Sequence, residues 1–175
     1  VEFYQYIRTF QKDRLDAVRG KLEQAIERDP TFGEGHACLS HLYSQHARFM
    51  STSTEELRRL ADRAFLHARQ ALLLSPNSSH AHHALGLAYW FSGETALALD
   101  SYQTALSLNP NDTDLMADFG MRLCLLLDWE KGVPLVEESF RRNPCQSGTF
   151  RMALVLYHFS ERNYEESLRQ ALLIN

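Results

Sequence analysis

The chain has 175 residues, 45% of them apolar, enough to bury a core and within the length of one domain. Its 18 Lys and Arg against 22 Asp and Glu give a formal net charge of -4, so nothing in the charge calls for nucleic acid as a partner. Only 8 Gly and 5 Pro among many Leu, Ala, Glu, Arg and Gln argue against a loop-rich β-sandwich and for an all-α fold.

In chain order, apolar periodicity and its punctuation predict helices over 3–11, 15–28, 33–50, 55–74, 79–91, 95–108, 113–126, 129–141, 147–159 and 164–173. Thr54-Glu55-Glu56 reads as a helix start with an acidic first turn, and Asn77-Ser78-Ser79 and Asn111-Asp112-Thr113 supply turn and cap chemistry. Pro134 falls about a turn into its helix, where a modest kink is expected. The three cysteines, Cys38, Cys124 and Cys145, are odd in number and widely spaced, which points to a reducing, cytoplasmic setting. No apolar run is long enough to cross a bilayer, the longest being Leu123–Leu127. A start at Val1 without Met, and an end at Asn175 inside an apolar-periodic segment, read as a piece of a longer protein.

The prolines reveal a repeat. Pro76, Pro110 and Pro144 are 34 residues apart and each closes a predicted helix, as Pro30 does earlier. Leu85-Gly86 recurs as Phe119-Gly120, and Tyr89 as Leu123, with Tyr43 and Tyr157 in equivalent places. The triplet Ala98, Tyr102, Ala105 recurs as Gly132, Val136, Ser139, and earlier as Ala64, Ala68, Ala71 and Val18, Leu22, Ala25; steps of 4 and 3 define one helix face. Small residues beside large ones at fixed offsets let two helices approach closely while an aromatic fills the remaining space.

From Ser79 to Pro110, the residues Leu85, Gly86, Tyr89, Gly93, Ala98, Tyr102, Ala105 and Pro110 give a pattern that resembles the tetratricopeptide repeat, a helix-turn-helix unit of about 34 residues. The resemblance implies a right-handed superhelical solenoid of about five repeats in a single domain, at about 1–31, 32–78, 79–112, 113–146 and 147–175, the last cut short. The family's early Trp is replaced by His36, His82, Met116 and Phe150, while Trp129 and Tyr164 sit where an aromatic often opens the second helix. Pro30 to Pro76 is 46 residues, and the excess lies between the two helices of that repeat, so both are expected to be longer by roughly one and a half turns.

In this family the first helix of each pair lines an inner groove, and that frame places His41, His80, His83, Leu87, Trp90, Phe91, Met121, Cys124, Arg151 and His158 there. With Arg151 its one cation, this list disfavours a clamp for two carboxylates. It suits a peptide or helix with large apolar anchors. Packing of Leu87, Trp90, Phe91 and Leu125 against neighbouring helices is the alternative reading.

His80, His82 and His83 cluster at a helix start, but no Cys or carboxylate motif accompanies them, and neither a metal nor a cofactor is expected. Imidazoles in a groove would make binding sensitive to pH near neutrality. A Cys124–His158 thiol and base lacks an orienting third group, the sequence has no nucleotide, hydrolase or metalloprotease motif, and the chain is read as a non-enzyme. Arg58, Arg59, Arg63 and Arg69 mark the second helix of the long repeat, offset by Glu55, Glu56 and Asp62. That hairpin, with Phe49, Met50 and Phe65, and the exposed last repeat are candidate homodimer contacts.

The start Tyr4-Gln5-Tyr6-Ile7-Arg8, with Ala25–Pro30, is similar to the opening of repeat regions in bacterial signalling and transcription proteins such as winged-helix regulators and nucleotide cyclases. The expected function is therefore a protein-protein interaction scaffold within a regulatory protein. A ligand- or metal-responsive sensor and a substrate-recognition arm of a larger enzyme are the alternatives.

Overall fold

A computed structural model describes Phe3 and residues 15–50 and 53–174, with the side chains of 48–50 set aside. The described chain is helical throughout: α1 (Leu15–Arg28), α2 (Gly33–Met50), α3 (Thr54–Leu74), α4 (Ser79–Phe91), α5 (Thr95–Leu108), α6 (Thr113–Leu125), α7 (Trp129–Arg142), a 3-10 turn (Gly148–Arg151), α8 (Met152–Ser160) and α9 (Tyr164–Leu172). Consecutive helices pack as hairpins: α2 on α3, α4 on α5, α6 on α7 and α8 on α9. These are the predicted helices, with ends that agree to within one residue and two differences at their starts. The segment 147–159 opens with the 3-10 turn, and α3 is capped by Ser53, whose hydroxyl accepts from the Glu56 N–H, one residue before the predicted start. The helix predicted over 3–11 falls outside the described residues except for Phe3.

Two compact units divide the chain, Val1–Leu108 and Asn109–Asn175. In the first, Leu15, Val18, Cys38 and Leu42 form one buried cluster. Leu39, Tyr43, Ala47, Leu60, Ala64 and Ala88 form a second, and Ala37, Ala71, Ala81 and Ala84 a third. Alanines at helix crossings bring backbones close, as the recurring small residues predicted. In the second unit Cys124, Val133, Val136, Ala153 and Leu154 form the core, with Met121, Trp129, Phe140 and Tyr157 packed against it.

The closest approach in that unit is between α6 and α7. A Cβ on Gly132 would lie 2.6 Å from the Cys124 sulfur and 2.8 Å from the Gly120 carbonyl oxygen, so both helices need a bare Cα there. The long repeat is also as expected: α2 and α3 have 18 and 21 residues where α4 and α5 have 13 and 14. The side chains of Phe49 and Met50 lie outside the described residues. Phe65 is half-buried, packed on the Tyr43 cluster and edge-on to Tyr89 at 5.2 Å.

The turn joining the two helices of a pair recurs in the same form. Glu94 N–H donates to the Tyr89 carbonyl, Asp128 N–H to Leu123 and Asn163 N–H to His158, each across a residue in the left-handed region: Gly93, Leu127 and Arg162, with φ of 82°, 64° and 60°.

Candidate functional site

In the first unit the predicted groove residues come from α2 and α4. The histidine run opening α4 goes three ways. His80 Nδ1 lies 2.7 Å from a Glu34 carboxylate oxygen, and His82 Nε2 lies 2.9 Å from the Pro76 carbonyl oxygen. His83 is buried, edge-on to His41 at 5.2 Å and 5.4 Å from the Tyr102 ring. Spacing of three on a helix put His80 and His83 on one side, but their partners draw them apart. Among the described residues no three His, Cys, Asp or Glu side chains converge to hold a metal ion. His41 is half-buried, 3.3 Å from the Gln45 amide. Trp90 and Phe91 are half-buried in the last turn of α4. Leu87 has no exposed surface and is a packing residue, which corrects its placement in a groove.

In the second unit Cys124 has no exposed surface either, and the reason is the glycine crossing: its sulfur fills the gap over Gly132. Burial, helped by the Asp128 charge, pushes its thiol up to about 11, so it stays protonated at neutral pH and the imagined thiol and base lacks its nucleophile. Met121 is half-buried against the Cys124 cluster. Arg151 stands with its guanidinium 4.1 Å over the Phe140 ring and donates to the Gln170 side-chain oxygen at 2.9 Å. His158 is half-buried and contacts Tyr157 at 5.1 Å. Phe159 next to it is 62% exposed and held edge-on by Tyr164 at 5.5 Å. Accessible Met121, Arg151, His158 and Phe159 therefore belong to this unit, and accessible His41, His80, Trp90 and Phe91 to the first.

Two polar arrangements were not foreseen. Asp118 and Arg122, one turn apart on α6, form a buried ion pair at 2.7 Å with side chains 10% and 2% exposed. Their spacing of four was visible, but nothing local to it says that the pair faces inward. In the first unit His36 and His67 place their Nδ1 atoms 2.9 Å apart, so one ring must donate and the other accept, and Tyr43 stacks on His67 at 5.7 Å. Tyr43 donates to Glu23 at 2.9 Å and accepts from Arg63 at 3.0 Å. Desolvation, with the neighbouring His36 and Arg63 charges, pushes His67 down to about 4, and desolvation also lowers His36.

A depressed imidazole pKa disfavours the protonated folded state, so its contribution is whole above the unfolded value near 6.5 and is lost as pH falls toward about 4. The full shift would be worth about 3 kcal/mol, and screening at a partly exposed ring reduces it to about 1–2 kcal/mol. Urea denaturation at pH 7.5 and at pH 4.5 should show a larger loss for the native chain than for His67→Gln; equal losses would remove this pair from the account.

Residues 79–112 match the family model of the tetratricopeptide repeat. No curated protein matches the chain. Among solved structures, TTC0263, a thermophilic TPR protein of Thermus thermophilus, aligns over 96% of this chain and 85% of its own, with 18% identity and a TM-score of 0.73. The MamA structure aligns over 93% of this chain and 87% of its own, with 18% identity and a TM-score of 0.61. The Naa15/Naa10 complex bound to HypK-THB aligns over 96% of this chain and 24% of that chain, with 18% identity and a TM-score of 0.57. At these identities the likeness establishes the fold, an α-α solenoid of tetratricopeptide-type repeats.

Proposed function

We propose that this chain, a tetratricopeptide-repeat protein by its fold, is an interaction scaffold without catalysis of its own, whose second unit receives a partner on its first-helix face. The observation that carries this reading is Phe159. It is a large aromatic kept 62% exposed in the last turn of α8, edge-on to Tyr164 at 5.5 Å and next in sequence to the half-buried His158. An exposed aromatic braced by a second ring suits the anchor position of an interface. The occupant it suits is an amphipathic helix or extended segment with a large apolar anchor. In the first unit His41, His80, Trp90 and Phe91 form the corresponding face.

Self-association is a second reading, supported by Tyr164, Leu168 and Leu172, which follow one stripe of α9 and are 59%, 61% and 74% exposed. One experiment separates the two. A photo-crosslinking residue is placed at Phe159, at Leu168, or at Leu73, which is 75% exposed on α3. Adducts from 159 with one recurrent partner, absent from 73, support the face; adducts from 168 at twice the chain mass support self-association. Equal labelling from all three positions overturns both. Phe159→Asp should weaken capture of that partner by about 2 kcal/mol, roughly 30-fold, with helix content unchanged.

A further inference from the structure

The α8–α9 hairpin carries two apolar stripes rather than one. On α9 the stripe is Tyr164, Leu168 and Leu172; on α8, Met152, Leu156 and Phe159 recur at steps of 4 and 3 and are 44%, 37% and 62% exposed. The Ser167 hydroxyl donates to the Val155 carbonyl at 3.0 Å, which fixes where the two helices face each other. Turning about 100° per residue from those two positions, along antiparallel helices, all six side chains fall on the same side of the hairpin. The other side is occupied. Leu154 of α8 packs there with Cys124 and Val136, and Arg151 of α8 donates to Gln170 of α9. Phe159 and Tyr164, edge-on at 5.5 Å, join the two stripes at the turn.

The six side chains therefore make one surface, two ridges of three, with no charged residue on it. Glu165 and Arg169 lie on its outer flank, where Arg169 is held by Glu166. At roughly 150–250 Å² for a fully exposed large side chain, six that average just over half exposed present on the order of 600 Å² per copy. A typical monomer leaves no larger apolar patch to water. Two such patches bury on the order of 1,200 Å², enough for a specific interface, and depletion of charge marks the core of homodimer contacts. A lone helix seated in the furrow between the ridges would leave the flank of Leu172 in water, whereas a second hairpin covers both ridges.

We infer that this side of the α8–α9 hairpin is a homodimer interface, in which two copies meet through the same patch about a two-fold axis. The inference rests on the self-association reading above and extends it from the α9 stripe to both helices. Because Phe159 also anchors the proposed partner, the paired state covers that anchor. Copy and partner exclude one another, and the dimer is the closed form of the scaffold.

Sedimentation equilibrium of the full chain through the micromolar range should show the mass rise from one chain to two and stop there. Added salt should not loosen the dimer, since no ion pair holds it. Leu156→Asp on α8 and Leu168→Asp on α9 should each weaken it by about tenfold or more, because each places a charge in an apolar contact. Leu73→Asp, the same change at an exposed leucine of α3, should leave it unchanged. All of these side chains are exposed, so circular dichroism and melting of the dilute variants should match the native chain; Met152→Asp replaces Leu156→Asp if the latter melts early. A chain that stays monomeric overturns the inference together with the self-association reading. A dimer that Leu168→Asp dissociates but Leu156→Asp and Met152→Asp do not overturns the inference alone, the contact then running through α9 only. An equal loss for Leu73→Asp overturns it too, as does a mass that climbs past two chains, the sign of a head-to-tail contact that does not close.

Discussion

Asp118→Ala should destabilise the C-terminal unit by about 3–5 kcal/mol, the range for removing one partner of a buried ion pair. Arg122 is 1% exposed, and losing the carboxylate 2.7 Å away removes a charge-assisted hydrogen bond that water cannot replace. Coulomb attraction alone would not require so large a value, since desolvation of both charges offsets much of it. The asymmetry appears only when one partner is removed. Replacing both, as Asp118→Leu with Arg122→Met, should restore most of the loss. Guanidinium unfolding followed by Trp129, which packs on this unit's core, measures both variants. A single-variant loss below about 1 kcal/mol would show that the pair is not sealed from solvent.

Tyr102→Ala should cost about 3–5 kcal/mol, the range for emptying a buried aromatic site. The ring has no exposed surface and lies where a Cβ on Gly86 would come within 3.0 Å of it, beside buried His83 at 5.4 Å. Gly86 has no side chain to extend into the space, and the His83 imidazole is flanked by His41. Unfolding followed by Trp90 in the adjacent helix reads the effect, and Tyr102→Phe, which keeps the ring, should recover most of it. A loss under about 1 kcal/mol for the alanine variant would mean that the helices close over the gap.

The helical frame was legible because it depends on short-range spacing. The steps of 4 and 3 through Ala98, Tyr102 and Ala105 name a face, and the 34-residue return names its partner helix. The site was less legible, for a reason seen in Leu87 and Cys124. Helical spacing tells which side of a helix a residue occupies, but the depth of the neighbouring helix decides whether that side meets solvent. Gly132 lets α7 approach far enough to bury Cys124, and the effect belongs to both helices rather than to either sequence. The His36–His67 contact spans 31 residues, and joins the start of α2 to the body of α3. Only a pairing register for the elongated hairpin would reveal it. Charges on α3 read as a solvated face, yet Arg59 and Arg63 border a cavity that opens beside α1.

The left-handed residue in the turns after α4, α6 and α8 separates what makes a repeat recognisable from what makes it fold. Glycine occupies it in the segment that matches the family model, whereas leucine and arginine occupy it in the next two pairs. A side chain there costs on the order of 1 kcal/mol, yet the same backbone bonds close all three turns. The geometry is therefore enforced from outside the turn, by helix pairs already committed to packing against each other. The turn thus keeps its shape where its local signature is missing, so likeness in sequence falls off faster along this chain than likeness in shape.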